Sequence, residues 1–219
     1  MSLSIAAQIA ARAADAGFDL CAPLAITRAD APLPCFDRDR ALGLIIGNTR
    51  ALWPRFLAAR RAGADPLDRY CEEKLAPLVS VTPGGGAIFF AHVRGETGWL
   101  PIQSLAQRAG LAELAPCGLS IHPIYGPWIA LRALIVIDAD GPARDAPPVV
   151  KSCDCATGCG PAREALARAG DPFDPRSETW RAWAAVRLAC PAGAQHRYSD
   201  AQLRYHYTRD LSLLDQSGR

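Results

Sequence analysis

The sequence predicts an α+β fold, in which a small sheet of buried strands carries helices and is followed by a helical C-terminal region. Three observations carry that prediction. Residues 41–46 and 128–137 are apolar runs rich in branched side chains, the composition of strands buried on both faces. Between and after them lie segments with apolar residues at helical spacing, bounded by helix start and stop signals. The resulting order (helix, strand, helix, helix, strand, helix, strand, strand, helices) has too few strands for a Rossmann domain, and the glycine pattern of that fold is missing.

Each element has its own justification. Residues 3–16 are Ala-rich with Ile5 and Ile9 on one face, and Gly17 follows as a C-cap. A proline-containing loop at 31–34 leads to the strand at 41–46. Asn48-Thr49 then caps a helix with Leu52, Trp53, Phe56 and Leu57 on its apolar face, expected to run to Gly63. Asp65-Pro66 opens the next helix, since proline is pre-organised for the first helical position. Pro83-Gly84-Gly85-Gly86 is a plain turn before a strand at 87–93; it opens no helix and lacks the GK[ST] of a phosphate loop. A helix from Pro101 ends at Gly110, and residues 119–121 form a short strand. Pro and Gly at 141–148 close the sheet core, so residues 1–148 are expected to be a sheet-containing core. Residues 149–219 are a cysteine-bearing loop and helices at 161–169, 178–188 and 199–207 packing on the same domain. Ser199-Asp200-Ala201-Gln202 is a capping box.

Composition excludes several classes. The 24 Lys and Arg nearly balance the 22 Asp and Glu, so the chain has no basic stripe for nucleic acid. No apolar run approaches the roughly 18 residues of a membrane helix, and the N-terminus shows no signal peptide, so the expectation is a cytoplasmic protein without a membrane partner. Eight cysteines in that setting argue against a disulfide scaffold, and the scattered Cys21, Cys35, Cys71 and Cys117 read as small core residues.

Residues 117–138 are the most informative stretch. His122, Pro123, Tyr125, Gly126 and Pro127 form a stiff turn between two strands, of a kind that can hold a flat or bulky group against a sheet. Arg132 interrupts an otherwise apolar strand. A buried guanidinium is costly unless paired, so Arg132 either meets a buried carboxylate or faces a ligand anion. Of the other histidines, His92 reads as structural and His196 and His206 as solvent-facing.

Ser120-Ile121-His122-Pro123-Ile124-Tyr125-Gly126-Pro127-Trp128-Ile129-Ala130-Leu131-Arg132 resembles the central motif of the cobalamin-processing family altered in methylmalonic aciduria with homocystinuria type C. Trp180-Arg181-x-Trp183, Arg197-Tyr198-Ser199-x-x-Gln202, and Arg209 with Leu213-Leu214 are similar to that family's later motifs. The resemblance implies a flavin-reductase or nitroreductase-like layered fold with a mainly antiparallel central sheet. It also implies binding of a corrinoid ligand, cobalamin, and removal of its upper axial ligand. That removal is reductive decyanation with a flavin such as FMN, or dealkylation with glutathione. Ile121, His122, Tyr125, Gly126 and Trp128 would face the corrin. Arg132, with Arg187 and Arg209, would hold the glutathione carboxylates, Arg132 being the residue closest to the chemistry. The family's histidine in the preceding helix has no counterpart here. The same fold also admits a flavin- or iron–sulfur-dependent reductase, a non-catalytic corrinoid delivery module, and a homodimer.

Cys153, Cys155, Cys159 and Cys190 are not part of that family's pattern. Thiolate sets select zinc or iron–sulfur, yet the spacing matches neither a zinc ribbon nor a ferredoxin run, so a metal site, redox-active thiols and no role at all stay open. Cys190-Pro191-Ala192-Gly193-Ala194 looks like the Cys-Pro-x-Gly-Ala of epoxyqueuosine reductases, which implies an iron–sulfur cluster feeding electrons to cobalt.

Overall fold

The two apolar runs expected to be buried strands are the middle pair of a four-stranded antiparallel sheet. A computed structural model describes residues 4–80, 82, 84–147, 159–167 and 179–216. In chain order these form α1 (Ile5–Asp15), β1 (Leu20–Ile26), β2 (Ala41–Asn48), α2 (Leu52–Ala59), α3 (Pro66–Leu75), β3 (Gly86–Phe90), β4 (Arg94–Gly95), β5 (Gly98–Trp99) and α4 (Ile102–Arg108). They continue through β6 (Glu113–Leu114), β7 (Ser120–Ile121), β8 (Ala130–Asp140), α5 (Gly160–Ala167), α6 (Thr179–Ala189), α7 (Asp200–Thr208) and α8 (Ser212–Gln216). The described residues divide into two compact units: 4–112 with 130–147, and 113–129 with 159–216.

In the sheet unit the strand order is β1-β2-β8-β3, and every pairing is antiparallel. All residues of β2 are buried, and Leu44, Ile45, Ile46, Leu134 and Ile135 are fully so. Each such side chain contributes about 1.5–3 kcal/mol of transfer free energy, which makes this strand pair the anchor of the unit. Helix α4 packs on β8, β1 and β2, and α1 packs on β1. Phe18, Tyr70, Phe56 and Trp53 form a chain of ring contacts, with Phe56 and Tyr70 edge-on at 5.8 Å.

Several element boundaries differ from the sequence expectation. β1 was not expected, because Pro23 breaks its apolar pattern; proline is tolerated there since β1 is an edge strand. The strand expected at 87–93 ends at Phe90, where the Val93 N–H folds back to the Phe90 carbonyl. Helix α2 stops at Ala59, short of Gly63. Nor does Asn48 cap it: Asn48 is the last, fully buried residue of β2. Trp128 and Ile129 precede β8 and lie outside it. The helix signals at Asp65-Pro66 and Ser199 do open α3 and α7, and the Ser199 hydroxyl accepts from the Gln202 N–H.

In the other unit α5 packs on α6, α6 on α7 and α7 on α8, while β6 and β7 form a two-stranded ribbon. Two apolar clusters hold it. One joins Ala115, Leu119, Ile121, Val186 and Cys190; the other joins Trp128, Ala184, Tyr198 and Leu203. No described helix is long and apolar enough to cross a membrane.

Candidate functional site

Arg132 owes its position to a break in strand register. The β2–β8 pairing passes from Ile46 opposite Ala133 to Gly47 opposite Leu131, so Arg132 is the one extra residue of a β-bulge. Bulges re-aim a side chain that regular pleating would bury in the core. The Arg132 side chain is buried, and its Nε donates to Asn48 Oδ1 at 2.7 Å. Asn48 Nδ2 in turn donates to the Thr49 carbonyl at 2.7 Å, which fixes the orientation of the amide. Among the described residues the partner of Arg132 is this neutral amide, and no carboxylate bonds to it. Among the described residues Arg132 Nη2 is sealed from solvent and has no acceptor. Leaving a donor so placed costs about 1–3 kcal/mol, more when it is charged, a cost that an anionic partner would offset.

The turn after β7 is held from inside. His122 and Gly126 exchange two main-chain hydrogen bonds, at 2.9 and 2.8 Å, and His122 Nδ1 accepts from the N–H groups of Ile124 (3.0 Å) and Tyr125 (3.3 Å). These two bonds tie the imidazole to the backbone of the turn it opens. Tyr125 packs between His122 and His196, both rings 4.8 Å away. Gly126 has φ +56°, and a Cβ there would lie 2.0 Å from the Ala192 carbonyl oxygen. The reciprocal holds at Gly193, with φ +65° and a Cβ site 2.3 Å from the Tyr125 carbonyl. The two backbones therefore touch where any other residue would hold them apart.

Trp128 and Ile121 are fully buried in this unit, so neither presents a face to a ligand in this conformation. The indole of Trp128 meets Tyr198 edge-on at 5.6 Å, and the Arg187 guanidinium lies 5.7–5.9 Å from the rings of Trp128, Tyr198 and Tyr207. Arg187 is thus caged by aromatic faces, which suits a weakly hydrated planar cation. Burial alone would lower its pKa; the neighbouring Tyr207 and Tyr198 outweigh that and hold it above the ordinary arginine value. Arg209 is exposed, in the left-handed C-cap position of α7. His196 and His206 are half-buried against Tyr125 and Tyr198, where solvent-facing rings were expected. Cys153 and Cys155 lie outside the described residues, while Cys159 and Cys190 are buried. Among the described residues no group of His, Cys, Asp or Glu is arranged to hold a metal ion.

The comparison with solved structures bears on this arrangement. The chain matches the crystal structure of a C. elegans B12-trafficking protein CblC, a human MMACHC homologue, with a TM-score of 0.66 over 97% of this chain and 96% of that one. The two share a fold. Their sequences are 15% identical. A reductive dehalogenase whose structure suggests a mechanism for B12-dependent dehalogenation aligns over 71% of this chain and 23% of its own, at 15% identity and a TM-score of 0.43. No protein-family model matches the sequence, and no curated protein matches it.

One feature of the sheet unit has no signal in the sequence. A cleft of about 550 Å³ opens between the loop at 29–33, β3, the β4–β5 hairpin and Leu105 of α4. Asp30 lies in its wall, its carboxylate accepting from the Thr27 N–H at 2.8 Å and from Arg108. Burial pushes the Asp30 pKa up, but the bonds from Arg108 and Thr27 outweigh it and hold the group below the ordinary carboxylate value. The cleft is assembled from segments distant in the chain, which is why composition and spacing could not reveal it.

Proposed function

We propose that the protein binds a corrinoid and removes the upper axial ligand of cobalamin, by reductive decyanation or by dealkylation with glutathione as the thiol. What supports this is the central motif at 120–132 lying on a fold shared along nearly its whole length with a protein described as B12-trafficking. In this reading the rigid His122–Gly126 turn, with its half-buried Tyr125, offers a preformed surface to the amide-ringed corrin. Fully buried Trp128 braces that turn from within. Arg132 takes a carboxylate of the thiol: its unfilled Nη2 fits an anion, and planar bidentate donors suit that group. Arg187 and Arg209 keep the roles that the resemblance implies. The nitroreductase-like layering, FMN as electron source, a homodimer, and an iron–sulfur cluster or zinc on the late cysteines belong to the same reading and rest on the sequence alone.

Adding hydroxocobalamin and cyanocobalamin to the pure protein tests it. A base-off spectral shift is expected, followed by loss of cyanide under a reductant or of the alkyl group of methylcobalamin with glutathione. An unchanged spectrum with every cobalamin would remove the proposal.

A further inference from the structure

The cleft of the sheet unit shares no residue with the central motif, and its chemistry differs from that of an anion-binding arginine. We propose that it is a separate binding site for a planar, uncharged nitrogen heterocycle of nucleobase type, read by the open edge of β3 and stacked on Trp99.

Strand β3 is outermost in the sheet, with β8 on one side and no described strand on the other. The Ala91 N–H donates to the Arg132 carbonyl (2.9 Å) and the Asp138 N–H to the Gly85 carbonyl (3.2 Å). In an antiparallel ladder such bonds recur at every second residue, so the main-chain groups of 85, 87, 89 and 91 turn towards β8. Those of Ile88 therefore turn outward. Ile88 lines the cleft. An N–H and a C=O of one extended residue, side by side on an open edge, complement a ring carrying an acceptor next to a donor, as an adenine or pyrimidinone edge does.

The walls fit the same ligand. Ile88, Phe89, Phe90 and Leu105 supply apolar surface, and the volume lies within the 300–1,000 Å³ usual for small-molecule sites. At the mouth Trp99 is 62% exposed and Val93 48% exposed. An indole left in water beside an apolar cleft is a stacking surface, and base–aromatic stacking is tolerant of the ring's identity. Charge narrows the class further. None of the described residues lining the cleft is basic, and the acidic ones are Asp30 and Glu96, so phosphate or carboxylate on the ligand is disfavoured. Asp30 already accepts from Arg108 and from the N–H and hydroxyl of Thr27, so its charge is partnered within the wall.

Calorimetric titration of the full chain with adenosine tests the proposal, with AMP and N6,N6-dimethyladenosine as comparison ligands. Saturable binding of adenosine is expected. Adding the phosphate, or methylating away the amino donor, should weaken the adenosine interaction about tenfold. Trp99→Ala should weaken it about tenfold or more, by loss of stacking, while Trp99→Phe keeps it within about threefold. Leu33→Trp, which fills the cleft, should abolish it. Because Trp99 is exposed, its substitution leaves folding intact, and an unchanged melting temperature checks this. Three results would each overturn the proposal: no binding of adenosine, binding indifferent to Trp99→Ala, or equal binding of dimethyladenosine. Displacement by saturating hydroxocobalamin would also overturn it, by making the cleft part of the corrinoid site. So would a Trp99-dependent dimer that binds no heterocycle, since a second copy would then be the occupant of the edge.

Discussion

Replacing Arg132 by methionine separates a ligand anchor from a structural arginine, because the two roles make opposite demands on stability. The substitution removes the hydrogen bond from Nε to Asn48 Oδ1, 2.7 Å long, and leaves that oxygen buried without its donor. A hydrogen bond of a charged donor contributes about 1.5–3 kcal/mol. Against this, the substitution removes Nη2, a buried charged donor with no acceptor among the described residues, whose desolvation costs about 1–3 kcal/mol or more. Burial of the unbranched methionine adds to the favourable side. The terms offset, and Arg132→Met is expected to change the free energy of unfolding by no more than about 1 kcal/mol in urea. Turnover behaves differently. On the proposed function, loss of a charged bond to a thiol's carboxylate is expected to raise the KM for glutathione in methylcobalamin dealkylation about 10- to 150-fold. The affinity for cobalamin itself should stay within about threefold, since in that proposal the arginine grips the other substrate. A loss of more than about 3 kcal/mol in stability, with cobalamin affinity and glutathione KM worsening in step, would refute the anchor role.

Gly126→Ala combines a left-handed φ with a Cβ placed 2.0 Å from the Ala192 oxygen, so a destabilisation of about 3 kcal/mol or more is expected from the urea midpoint, and an unchanged midpoint would disprove the close approach. Because the folded pKa of Asp30 lies below its ordinary 3.8, the unfolded chain binds the proton first as pH falls; its contribution is present above about pH 4 and disappears as pH drops through the folded value. Asp30→Asn should accordingly lower the melting temperature at neutral pH and flatten its fall below about pH 4, and parallel curves would count against the Arg108 pairing. Burial pushes the Cys21 thiol from 9.0 up to about 11, so at pH 8 it carries about 100-fold less thiolate than an ordinary thiol and should be alkylated correspondingly slowly, as read by mass spectrometry. If the late cysteines hold a cluster, anaerobic reconstitution with iron and sulfide will load the wild-type protein and fail in Cys159→Ser with Cys190→Ser; colourless, iron-free wild-type protein would exclude the cluster.

The elements legible in the sequence were those whose signals are local. Pro66 marks a helix start by its φ and Ser199 by the bond its hydroxyl accepts from the Gln202 N–H, while β2 and the centre of β8 are apolar runs whose residues are buried. Arg132 was conspicuous for the same reason: a charge inside such a run must be explained. What stayed hidden depends on pairing. β1 carries a proline that only its edge position excuses, and the bulge at Arg132 exists as a mismatch between two strands, not as a property of one. The grouping of 113–129 with the C-terminal helices leaves no mark in composition. Trp128, expected as a wall for a ligand, looks the same in sequence whether its ring faces outward or lies inside the cluster with Tyr198 and Leu203, where it is found. His122 illustrates the converse, since its neighbours in the chain supply the two N–H groups that occupy its Nδ1.

The crossing of Gly126 and Gly193 sets the terms on which this region can change. With each Cβ site filled by the other segment's backbone, neither position can accept a side chain while the other stays put. The segment that begins at Cys190 and the turn that carries Tyr125 are thereby mechanically one piece. A displacement at the cysteine end cannot be absorbed at the crossing, where backbone meets backbone with no flexible side chain between the two segments to give way. It has to be passed on to Tyr125, or the contact has to open.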